Sequence, residues 1–256
     1  MPRIVRRVRG ALRAEWRCLA LVARRQLRER GLLGVWLAPA ASLAMICLHE
    51  LQQFPASDRV VRLVGEVRAD QPLWVSLLRT PVSVLVPTRD QPVWGGLPRL
   101  VLSLGLAQLL LGPRRALLVG YGATLAGTLG ARVMVAIGPD HFAGVPTAYA
   151  HDVDTGASAA VVGLFTCLSV RLRAPVLCLA FVVPTVVGSV LEPNLAGREH
   201  LVAVACVAAC AVFQERRRPG EFRKPGLPAP SGPPEAPGPP GPLRSSRGPT
   251  RPTARG

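Results

Sequence analysis

The chain has 256 residues, nearly half of them apolar, with aromatic residues at only 5% and a net charge of +16. Leu, Val and Ala arrive in long blocks with little aromatic volume, which argues against a soluble core and for a bilayer as solvent. Residues 1–31 carry ten Arg against two Glu, and residues 214–256 carry nine Lys/Arg against three Glu, so the basic balance belongs to the two ends. A nucleic-acid partner would want that charge on a folded face interleaved with aromatics, and the pattern is absent.

In chain order, residues 1–31 predict a basic amphipathic helix, with Leu12, Trp16, Leu19, Ala23 and Leu27 recurring three or four apart. Such a helix suits an anionic membrane surface. Leu32 to Leu48, extended to Leu51, reads as a first span. Residues 52–96 mix charges with prolines at 55, 72, 81, 87 and 92, and their apolar middle is too short and broken to cross a bilayer. An interfacial or re-entrant segment is expected there. Further spans are expected at 97–112, 116–138, 155–172, 175–191 and 200–213. Residues 192–199 are expected as a short loop, and 214–256, with twelve Pro after position 218, as a disordered tail.

Arg and Lys test the topology. The N-terminal segment, Arg114 with Arg115, Arg171 with Arg173, and Arg216 to Arg218 fall on one side of six spans. The loop 139–154 holds Asp140, Asp152, Asp154, His141 and His151 but no Lys or Arg, and falls on the other. Both termini are therefore expected in the cytoplasm, in a multi-pass protein of the plasma membrane. The loop's His and Asp residues lack rigid ligand spacing and read as solvated charge; no metal, cofactor or disulfide is expected. Arg132, in the outer half of the third span, is expected to pair with Asp152, Asp154 or Glu199, or to snorkel.

Ser158 heads the fourth span in GASAAVVGL, between small residues, and His200 heads the sixth. Gly156, Ala160 and Gly163 on the fourth span and Ala203 on the sixth would let neighbouring helices approach closely. A serine hydroxyl becomes a nucleophile when a base takes its proton, and neutral imidazole is the usual base. Two readings stand: a Ser158–His200 dyad, or a small contact residue and an interfacial histidine.

The order of these features resembles the rhomboid family of intramembrane serine proteases, over residues 32–213. GASAAVVGL is similar to the family's GxSx motif with Ser158 in the nucleophile's place, and His200 matches the histidine of the sixth span. YGATLAGTLG resembles the small-residue third span, and LLLGPRRALL the turn before it. The resemblance implies an all-α, six-transmembrane-helix bundle with a long first extracytoplasmic loop. It implies either intramembrane peptide-bond hydrolysis or, without catalysis, the binding of other proteins' transmembrane helices; membrane lipid is the other partner. The family's oxyanion contacts on span two fall at Leu100 and Leu104, or one residue earlier at Arg99 and Ser103. Val162, Ala159 and Ala203 depart from the family's aromatic and two glycines.

Overall fold

The computed structural model describes residues 2–87, 93–141, 144–146, 148–149, 157–191 and 194–217. These form an all-helical fold; no sheet occurs among them. Nine helices follow in order: α1 (Pro2–Arg30), α2 (Leu37–Gln52), α3 (Pro55–Gly65), α4 (Leu73–Ser83), α5 (Val93–Leu111), α6 (Pro113–Ile137), α7 (Ser158–Leu172), α8 (Pro175–Leu191) and α9 (Leu195–Arg217). Three of them, α5, α6 and α9, are long and apolar enough to cross a membrane. The apolar α7 and α8 are shorter. Asp152, Asp154, His151 and Gly156 lie outside the described residues, as does the tail from residue 218.

Boundaries follow local chemistry. Gly112, at φ 84°, makes the sharp turn between α5 and α6, and Pro113 opens α6 where no N–H is needed. Helix α9 starts five residues before the expected His200. Asn194 Oδ1 accepts from the Gly197 N–H at 2.7 Å, a side-chain cap that lets the charged stretch Ala196–Glu199 join the helix. Inside α8, one π turn spans Cys178–Val182.

The core centres on α7. Every residue from Ala159 to Ser169 is buried, with α5, α6, α8 and α9 packed around it. Contacts are made by small residues. A β-carbon added at Gly120 would meet Ala160 Cβ at 3.7 Å, and one at Gly163 would collide with Ala123 Cβ and stand 3.5 Å from Val207 Cγ2. Lipid tails are as apolar as leucine, so close van der Waals contact is what holds such helices together.

The segment after α2 is two short helices. In α4 the amphipathic order is inverted. Ser76 and Thr80 are 1% exposed, whereas Trp74 is 65% and Leu78 71% exposed. The polar face turns onto α6 and the apolar face outward. Pro81 lacks the N–H that would bond Leu77 O, and Tyr121 of α6 donates its hydroxyl to that carbonyl instead, at 3.2 Å. Arg132 of α6 donates to Arg68 O at 2.9 Å and to Ser76 Oγ. Arg132 thereby holds the first long loop to the bundle; Asp152 and Asp154, expected beside it, lie outside the described residues.

Two helix N-termini are capped from neighbouring elements. Gln108, buried on α5, accepts from Leu37 N–H at the start of α2, at 2.8 Å. Glu15, buried on α1, accepts from Val176 and Leu177 N–H at the start of α8, at 3.0 and 2.9 Å. Orphan N–H groups and the positive end of the helix dipole favour both. Docking through Glu15 buries Leu19 and leaves Trp16 and Leu27 exposed. Replacing Gln108 with Leu keeps the bulk and removes the acceptor. We expect a loss of about 1–3 kcal/mol, read as a lowered thermal midpoint in detergent, because the Leu37 N–H is left buried and unpaired.

Candidate functional site

Short connections fix which helix ends lie together. The α5–α6 turn, the α7–α8 turn and the C-terminus of α9 share one end of the bundle; the starts of α7 and α9 share the other. At the first end, Arg171 of α7 donates to Gln214 Oε1 of α9. In mid-bundle, Gly163 stands against Val207. Residue numbers differ by 43 at one contact and 44 at the other, so α7 and α9 run parallel and in constant register. Continued toward the helix starts, that register sets His200 within about 3 Å of Ser158 along the axis, at 1.5 Å rise per residue.

Ser158 is the first residue of α7 and is exposed. Helical spacing puts it on one stripe with Val162 and Phe165, and Phe165 stacks on Phe181 of α8 with ring centroids 4.0 Å apart. His200 is half-buried in the second turn of α9. It shares a stripe with Ala203, Val207 and Ala211, all buried, and Val207 is the residue that meets α7. Ala160 and Gly163 lie against α6, and Ala203 is fully buried.

The proposed donors on α5 behave differently. Arg99 is exposed near the start of the helix. Ser103 is fully buried, and its hydroxyl donates to Leu100 O of its own helix at 3.1 Å. Serine often satisfies itself in this way in an apolar helix.

Three features of this end escaped the sequence reading. Glu199 is buried, with its backbone against Gly127 of α6, where an added β-carbon would stand 3.3 Å from Glu199 O. Arg198 donates to Gly144 O at 2.8 Å, tying the loop after α6 to α9. Ala131, Val145 and Leu195 form a small apolar cluster there, with Tyr149 against it. The run of acids nearby drew attention to charge pairing, and backbone carbonyls leave no trace in a sequence.

The chain was compared with family models, curated proteins and solved structures, and none matches.

Proposed function

We propose that this chain is a six-span, rhomboid-like membrane protein whose Ser158 and His200 form an intramembrane serine-protease site. The observation that supports it is the constant register of α7 and α9, with His200 on the stripe of α9 that meets α7. In this reading α2, α7 and α8 cross the bilayer together with α5, α6 and α9. Helix α7 has 15 residues, about 22 Å against a hydrocarbon core of about 30 Å, but protein surrounds it and it need not match the lipid. The exposed arginines of α1, Arg114, Arg115, Arg173, Arg216 and Arg217 belong to the end opposite Ser158. The positive-inside rule makes that end cytoplasmic, and the plasma membrane is the proposed location.

The chemistry is acyl transfer. His200 takes the hydroxyl proton while Ser158 Oγ bonds to the scissile carbonyl carbon. The C–N bond then breaks, and the imidazolium returns the proton to the leaving amine. Water attacks the acyl-enzyme in the same way and restores the serine. The oxyanion would sit at the start of α7, where first-turn N–H groups have no partner within the helix. With Ser103 bonded to Leu100 O, Arg99 is the remaining donor from α5.

The other reading is a rhomboid-like protein that binds transmembrane helices without cutting them, and the engaged Ser103 hydroxyl favours it. A serine-reactive fluorophosphonate separates the two. In detergent, the protease reading expects labelling at Ser158 that is lost in His200→Ala. No labelling of the folded protein would leave the binding reading.

A further inference from the structure

We propose that α1 is a binding surface for anionic phospholipid headgroups in the leaflet at its end of the bundle. The inference rests on the membrane reading of the chain and is independent of any proteolysis.

Arg13, Arg17, Arg24 and Arg28 fall on one stripe of α1, and all are exposed. Arg25 lies beside them and is paired with Glu29 at 2.8 Å. Trp16, Leu21 and Leu27 flank the stripe and are also exposed. Four guanidinium groups bordered by Trp and Leu match a headgroup layer above acyl chains.

A charged helix alone would be only a solvated face. What distinguishes α1 is its attachment. Glu15 and Leu19 are buried on the opposite side, and the Glu15 carboxylate is bonded to the start of α8. The helix is thus held against α5 and α8 at the bundle end that carries Arg114, Arg115, Arg173, Arg216 and Arg217. At that end lies the membrane surface, and a phosphodiester there can take two N–H donors from one guanidinium. The two faces divide the work: one carboxylate fixes the helix to the protein, and the arginines meet the lipid.

The test uses the full chain with Trp36, Trp74 and Trp94 changed to Phe, leaving Trp16 as reporter. The protein is reconstituted in phosphatidylcholine vesicles containing an equal share of brominated phosphatidylglycerol or brominated phosphatidylcholine. We expect the anionic lipid to quench Trp16 at least about twofold more strongly, and 1 M salt to remove the difference by shortening the Debye length to about 3 Å. Arg13, Arg17, Arg24 and Arg28 together changed to Gln should abolish the preference. Quenching by brominated phosphatidylcholine should stay at its original level, which shows that α1 still rests on the surface. Equal quenching by the two lipids overturns the proposal. So does a preference that survives the four substitutions, since it would belong to other basic groups. Loss of the preference on adding inorganic phosphate at constant ionic strength would likewise overturn it, by assigning the site to a soluble anion.

Discussion

Ser158→Ala should abolish cleavage of a model transmembrane substrate in reconstituted vesicles, by about 10³-fold or more, if the Ser158–His200 reading holds. Nothing else in the activity can substitute, because the bond to the carbonyl carbon is made by the hydroxyl oxygen. The fold should be indifferent. Ser158 is exposed at the first position of α7, Ala157 precedes it as the cap residue without a side-chain bond, and alanine is the better helix former. The thermal midpoint should therefore move by no more than about 0.5 kcal/mol allows. His200→Ala should cost a similar factor, and the double variant should be no slower than either single one, since groups acting as a unit are not additive. Full activity in Ser158→Ala would end the protease reading. The serine would then be a small residue at a close helix contact.

Gly163→Ala should be the most damaging single methyl group added at a helical glycine. The added β-carbon collides with Ala123 Cβ on α6, with Val207 of α9 close behind, so three helices must separate. Overpacking of this kind costs about 1–3 kcal/mol and sometimes more. The partner is itself a single methyl, so the cost has a specific remedy. Ala123→Gly combined with Gly163→Ala exchanges the methyl across the interface, and the pair should recover most of the loss. Gly122→Ala on α6 is the control, because that position has open space and alanine favours helix. Unfolding in graded denaturant and detergent reads all three variants. A wild-type midpoint for Gly163→Ala would show that α6 and α7 lie further apart than described.

Sequence reasoning read the long apolar helices well because α5, α6 and α9 announce themselves by composition alone. It placed the start of α9 five residues late. Ala196–Glu199 carries two charges that hydropathy counts as loop, whereas the decisive residue is Asn194, whose side chain caps the helix. It found the apolar period of α1 but not the docking contact, which is a carboxylate on a helix start. It did not foresee that the Arg132 guanidinium donates to a carbonyl and a hydroxyl of the preceding segment, because backbone acceptors leave no trace in a sequence. Of the candidate site, Ser158 and His200 stand out by residue type and position. That both head their spans on one side of the membrane was legible too; the packing of α7 against α9 was not, because it depends on contacts between elements some forty residues apart.

The clasp at Glu15 also has a direction in time. Glu15 is synthesised well before its partners at Val176 and Leu177, which follow 161 and 162 positions later. At about 5–20 residues per second, the carboxylate waits on the order of ten seconds or more for the amides it will hold. Bonds across so long a stretch form late and slowly. Helix α1 is therefore made long before it can dock, and the start of α8 stays uncapped until it does. Any chain begun downstream of Glu15 would carry that open helix end permanently, however well the remaining helices assembled.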